Sequence, residues 1–431
     1  MRTKTPVLAG AALEGFLSRY DAGRTQRPDA GAAREAAAAL LRAQGLPTQK
    51  EEPWHFTSLR PLASLAFASA APDAPATDAL LALLPDIAGP RLVLIDGRFR
   101  PELSSLPGGI TVRSFAEAGS LDGIARPERD RVVALNTMLT EDGVVVDVPE
   151  GVDGGFLMLA QLTAGSEARI GSHPRHLIRL GAGARLVLLD VSAGLGEYLN
   201  NPVVEIKVGE GAHLTHGRLQ QDAAVAFHLA TLYAEVASEG VYDCFSLALG
   251  ARLGRTEIHA RLVGERAAVH LNAAQIMGGT QVSDFTTAIS HDAPNCPSRQ
   301  TVKSVLTGQA RAVFQGRIEV ARIAQKTDGY QMNQALLLSP DAETNSKPEL
   351  EIYADDVKCS HGATVGALDP EQLFYLRSRG IAAAEARMIL VRAFLTDAFE
   401  AVADEGLRQV FEDAVEAWWM STGRLAEVPA S

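Results

Sequence analysis

Leu13, Phe16 and Leu17 recur at helical spacing and an alanine-rich run from Ala32 to Ala43 follows, so the chain begins with predicted helices. Gly45 and Pro47 stop the second of these, a loop carrying Trp54, His55 and Phe56 comes next, and another helical piece ends near Pro85. From Arg91 the texture changes. Short apolar stretches (Leu92–Ile95, Val132–Leu135, Val144–Val148) separated by glycines read as strands. Ile178 to Leu186 reads IRLGAGARL, and 28 residues on, Ile206 to Leu214 reads IKVGEGAHL; weaker echoes start at Gly264 and Gly308. A short strand, a glycine turn and another short strand, repeated at this interval, is the signature of one coil of a β-solenoid. Gly181 and Gly209 are then expected at equivalent corners of successive coils. Long helical patterns are missing from Arg91 to Val365, which argues against βαβ units; a β-sandwich is the competing architecture.

The C-terminus returns to helix, with Asp369 as N-cap, Pro370 at the first helical position and Gly380 as terminator. Two stripes follow: Val391, Phe394, Leu395, Ala398, Phe399, Val402, and then Leu407, Val410, Phe411, Ala414, Val415, Trp418. Each puts its apolar residues on one helix face. They either pack on each other or on the solenoid end, or they form a docking surface. The adjacent Trp418 and Trp419, with Phe411, favour docking. The expected organisation is a helical region 1–88, a β core 89–367 and a helical domain 368–431.

Composition narrows the partners. A formal net charge of −12 over 431 residues gives no electrostatic reason to expect nucleic acid or an anionic membrane. Cys244, Cys296 and Cys359 lie far apart without a CxxC, so a self-contained cysteine cluster site is excluded by spacing. An odd cysteine count, a first segment without a signal-peptide core and no apolar run of membrane-spanning length make the cytoplasm the expected location.

Candidate chemistry concentrates in KPELEIYADDVKCSHGATVGALD, Lys347 to Asp369. Cys359 and His361 are two apart, so on a strand they share a face, where they could bind a metal or an iron–sulfur cluster. Two ligands do not close a site, and the rest must come from elsewhere in the chain or from another subunit. Val357, Ala363 and Val365 have the same parity, so a buried core face reads equally well. Asp355 and Asp356 suggest a carboxylate pair, but neighbours on a strand face opposite sides and a turn is the simpler reading. Ser290 to Cys296 gathers His291, Asp292 and Cys296 in a loop without an oxyanion-hole motif. His213 and His216 diverge on a strand. No phosphate loop is present, so nucleotide chemistry belongs to a partner. A solenoid enzyme of carbohydrate or ester chemistry, using Asp355, Asp356 or His291, is the alternative function.

The stretch QKTDGYQMNQALLLSPDAETNSKPELEIYADDVKCSHGATVGALDPEQLFYLRSRGI, from Gln325 to Ile381, closely resembles the SufB/SufD family of the SUF system, and within it the SufD branch. GLPTQKEEPWHFTSL from Gly45, HPRHLIRLGAGA from His173 and SRQTVKSVLTGQARAVFQGRI from Ser298 carry the same resemblance. It implies a right-handed parallel β-helix between N- and C-terminal helical regions. It also implies a non-catalytic scaffold in a complex of one SufB-like chain, one SufD-like chain and two SufC ATPase subunits. His361 of the CSH tripeptide is then the implied ligand, beside Cys359, to a transient iron–sulfur cluster shared with the SufB-like partner. FAD is left open as a further cofactor of the complex, and a homodimer is expected when the chain is alone. Where SufB-like proteins carry a sulfur-accepting cysteine, this chain has Gln331-Met332-Asn333-Gln334, with Asn333 at about that position, so its partner must receive the persulfide sulfur.

Overall fold

Parallel strands wind between Arg91 and Gly366 into a β-solenoid of about eight turns. The computed structural model describes residues 8–23, 31–70, 77–121, 123–165 and 168–422. A front sheet runs from Arg91–Ile95 through Asp153–Gly165, Arg185–Gly196 and His213–Gln221 to Lys358–Gly366. A back sheet runs from Gly143–Val148 through Arg175–Leu180 and Val203–Val208 to Glu343–Ile352. Ile178 stacks on Ile206 and Leu186 on Leu214, so the echo in the sequence is one coil. At the corner, the Gly209 N–H donates to the Leu180 carbonyl at 3.0 Å. A Cβ on Gly209 would stand 2.7 Å from that oxygen and 2.8 Å from the carbonyl carbon of Gly181, which is why glycine recurs there. Parallel pairing throughout the coils rules out the sandwich, whose sheets are antiparallel.

One expected strand is a helix. Val132–Leu135 lies inside the helix Arg131–Leu139, whose N-cap Asp130 accepts the Val132 N–H at 2.7 Å. All of its residues are buried, between the helix Gly31–Gln44, where Arg34 donates to the Thr137 carbonyl, and the back sheet, where Asn136 donates to the Pro174 carbonyl. A run buried on every side shows no 3.6 period, so helix and buried strand read alike.

The two sheets are sheltered by opposite ends of the chain. Phe16, Leu41, Trp54 and Phe67 share a core with Phe227 and Leu253 of the back sheet, and the Arg255 guanidinium lies 4.2 Å over the Trp54 ring. The helices Ala383–Phe399 and Glu405–Thr422 lie across the front sheet, with the rings of Phe399 and Phe411 at 5.7 and 5.1 Å from Phe245. Gly217 lets them approach, since a Cβ there would meet the Phe411 ring at 3.0 Å. The apolar stripes therefore cover the side of the solenoid rather than its end. Phe411 is fully buried and Trp419 is 6% exposed, which corrects the expectation that both anchor a partner: burying them on the sheet is what holds the helices down.

The solenoid's ends differ. At the first, Arg98–Phe99 and Thr111–Ser114 add antiparallel strands that close both sheets. At the last, Glu343–Ile352 and Lys358–Gly366 have no further strand neighbour among the described residues, and Ile352 and Val365 are 40% and 55% exposed.

Candidate functional site

The open end carries the CSH tripeptide. On the strand Asp328–Leu337, Gly329, Gln331, Asn333 and Ala335 are buried while Tyr330, Met332 and Gln334 are half-buried, so the odd positions face the lumen. Register transfers this parity to the last strand, with Gly329 opposite Cys359, Gln331 opposite His361 and Asn333 opposite Ala363. Cys359 and His361 thus share the lumenal face, as alternation demands. The parity of a core strand is present without the core. Among the described residues no coil lies over these; His361, Ala363 and Val365 are exposed and Cys359 is half-buried. The Cys359 thiol packs by the cluster of Ile318, Val320 and Leu350, and burial pushes its pKa up. His361 has no hydrogen-bond partner among the described residues, and no group of three His, Cys, Asp or Glu among them could hold a metal ion. The pair alone does not make a metal site among the described residues.

The other candidates take structural places. Asp355 and Asp356 form an exposed bend, where the Lys326 N–H donates to the Asp356 carbonyl at 2.7 Å and the Lys326 ammonium pairs with the Asp356 carboxylate. The strand Val282–His291 absorbs Ser290 and His291, so the loop is shorter than expected. His291 is buried 3.0 Å from the Ser298 hydroxyl, and burial lowers its pKa to about 4. The Cys296 thiol contacts the Gly264 carbonyl at 3.3 Å and burial pushes it up. A neutral imidazole bonded to serine and an un-ionised thiol do not make a nucleophile pair. His213 faces outward onto Asp243 at 2.8 Å while His216 is buried against the Tyr242 hydroxyl at 3.1 Å. Trp418 donates from Nε1 to the Leu249 carbonyl at 2.9 Å, so it too is tied to the solenoid.

Sequence reasoning reached two features only obliquely. The helix Pro370–Ser378 buries none of its residues, and it presents Phe374 and Tyr375 at 73% and 57% exposure. Their signal is two adjacent aromatics on a helix without an apolar stripe. On the back sheet, an open groove of about 890 Å³ is lined by Trp54, Arg126, Asp130, Tyr233, Glu257 and His259, among others. Burial and the neighbouring Glu257 raise Asp130 to about 6. Burial alone would raise Glu257 too, but Arg255 and His259 hold it well below the usual carboxylate range. Within the groove the Arg255 guanidinium stacks on the Trp54 ring at 4.2 Å and the His259 ring on Tyr233 at 4.8 Å.

A profile described as SUF system FeS cluster assembly, SufBD core domain matches residues 162–394, and one described as SufBD protein N-terminal region matches 25–154. The chain belongs to the SufBD family. It is 35% identical over 381 residues to the iron–sulfur cluster assembly protein SufD of Escherichia coli, covering 86% of this chain and 88% of that one. It is 34% identical to a SufBD family assembly protein of Synechocystis, covering 84% and 85%, and 31% identical to the chloroplastic protein ABCI7 of Arabidopsis thaliana, covering 73% and 67%. This is a SufD-like iron–sulfur cluster assembly protein. Among the described residues no helix is long and apolar enough to cross a membrane.

Proposed function

We propose that this SufD-like chain is a non-catalytic scaffold subunit, acting with a SufB-like chain and a SufC-like ATPase. Its open coil supplies His361 to the nascent cluster, which is cargo rather than a resident cofactor. The observation that carries this reading is the uncovered lumenal position of His361 beside Cys359 on the last strand. An exposed imidazole on a sheet edge can present a ring nitrogen to a partner, and a second solenoid stacked on that edge would complete both the hydrogen-bond ladder and the ligand set. Exposed Ile352, Tyr353 and Val365 around the same end give that contact an apolar component. Asn333, lumenal and 1% exposed, offers no thiol to a persulfide donor, so sulfur enters through the partner.

The test is anaerobic co-purification with SufB-like and SufC-like partners, followed by iron and sulfide analysis. His361→Ala is expected to assemble normally and lose most of its cluster, since truncating an exposed side chain opens no cavity; Cys359→Ala should lose less. A fully loaded His361→Ala complex would show that His361 is not a ligand.

A further inference from the structure

One strand below His361, Gln331 and Asn333 face the lumen at 0% and 1% exposure. Neither carboxamide has a hydrogen-bond partner among the described residues: Gln331 Oε1 and Nε2 and Asn333 Oδ1 and Nδ2 are all unpaired. Burying one unpaired amide costs about 1–3 kcal/mol, and an apolar side chain of similar shape would avoid it. The next coil inward shows that the register tolerates one, because Val302 stands opposite Asn333. Gln331 also has space prepared for it. Gly316 lies across the lumen, and a Cβ there would come within 3.0 Å of Gln331 Oε1. Gln331 stands directly below His361 in register on strands about 4.8 Å apart; the two side chains are not bonded in the structure, and turning the carboxamide from Gly316 toward the open end would bring it to the imidazole.

We infer that Gln331 is a positioning residue for His361: its Oε1 accepts the N–H of the imidazole nitrogen that does not face the partner, fixing the ring's tautomer and orientation. An imidazole that gives one nitrogen to a metal ordinarily donates its other N–H to such an acceptor, and losing that acceptor typically lowers metal affinity about 10–100-fold. A carboxamide suits the role because it stays neutral, so the lumen takes on no charge when the ligand nitrogen is free. Asn333 keeps the surrounding lumen polar but stands under Ala363 rather than under the ring. The inference rests on the reading of His361 as a cluster ligand, yet its decisive measurement does not need the cluster.

The experiment is nitrogen-15 NMR of the full-length chain labelled at histidine, at a pH where imidazole is neutral, with the His361 signals assigned by their loss in His361→Ala. The unsubstituted chain should show one dominant tautomer. Gln331→Leu should bring the ratio down roughly three- to tenfold, the value of one net hydrogen bond. Gln331→Met serves the same purpose if the leucine variant does not fold. Gln331→Glu, which keeps an acceptor oxygen, should restore the bias, and Asn333→Val should leave it intact. An unchanged ratio in a folded Gln331→Leu or Gln331→Met chain overturns the inference, as does an equal response to Asn333→Val. In the anaerobic complex, Gln331→Leu should also weaken iron retention and Gln331→Glu recover it. If His361→Ala keeps its full cluster while the tautomer still follows Gln331, the ligand reading fails and the hydrogen bond stands.

Discussion

Lys303 of the front sheet donates to the Asp397 carboxylate of the helix Ala383–Phe399 at 2.8 Å, and to the Phe394 carbonyl at 2.7 Å, from a side chain only 3% exposed. Asp397 is 74% exposed. The pair is asymmetric, and so are its two mutants. Lys303→Met keeps the buried stem but removes both bonds and the contact with the Phe394 ring, and should cost about 1–3 kcal/mol. Asp397→Asn leaves the Phe394 carbonyl and an amide oxygen to the ammonium at an exposed position and should cost less than Lys303→Met. Thermal melts, with hydrogen exchange over 383–422, check the order. Equal effects would mean that the amine is not the latch of the helical hairpin.

The groove gives a stability prediction with a defined pH window. Asp130 titrates near 6 in the folded chain, against an ordinary 3.8. Between those values the folded state holds more protons than the unfolded one, so stability falls as pH rises, and the penalty is constant above about 6. An asparagine in its place would keep the Oδ1 that caps Val132 and Val133 while removing the charge. Asp130→Asn should therefore match the parent near pH 4 and exceed it near pH 7. Because Asp130 is only half-buried, the gain is discounted for solvent screening to about 1–2 kcal/mol. Denaturation midpoints at the two pH values decide it; a constant gap would remove the titration from the account.

The sequence exposed the solenoid because the repeat glycines are forced by close backbone approach, as Gly181 and Gly209 show. It also placed Cys359 and His361 on one face, since strand alternation needs no tertiary information. What it could not give was burial. Val365 and Ala363 carry the pattern of a core strand, and they are surface because no further coil among the described residues covers them. Trp418 and Trp419 failed in the opposite direction, since a stripe on a helix does not say whether sheet or partner covers it. Buried polar pairs were also out of reach: Arg175 and Glu205, 30 residues apart and 2.7 Å from each other, join the back sheet to the Ile124–Ala125 segment, whose N–H groups donate to Glu205.

The open end makes a prediction for the chain alone. Without a SufB-like partner, its two edge strands and the exposed Val365 should pair with the same edges of a second copy, as an isologous dimer. Val365→Lys puts a charge on that edge and should shift sedimentation from dimer to monomer while the monomer stays folded, because the residue is 55% exposed. A dimer that survives the lysine would place the self-contact elsewhere.

The proposed ATPase contact has to be sought away from the tryptophans. Trp419 is core and Trp418 is bonded to the Leu249 carbonyl, so substituting either should destabilise the helical hairpin and report little about docking. The helix Pro370–Ser378 is the better surface. It follows directly on the strand that carries His361, it buries nothing, and Phe374 and Tyr375 stand out from it. Aromatic anchors of this kind, when they are hot spots, cost about 2 kcal/mol or more on truncation, which is roughly thirtyfold in affinity. Phe374→Ala and Tyr375→Ala should therefore each weaken binding of the SufC-like subunit by about that factor while leaving the melting temperature and SufB-like binding unchanged. The short path from this helix to the last coil would let nucleotide-driven motion reach the cluster ligand without crossing the solenoid. Titration calorimetry of both variants against the ATPase subunit is the measurement. Full affinity in both would detach ATP coupling from this helix.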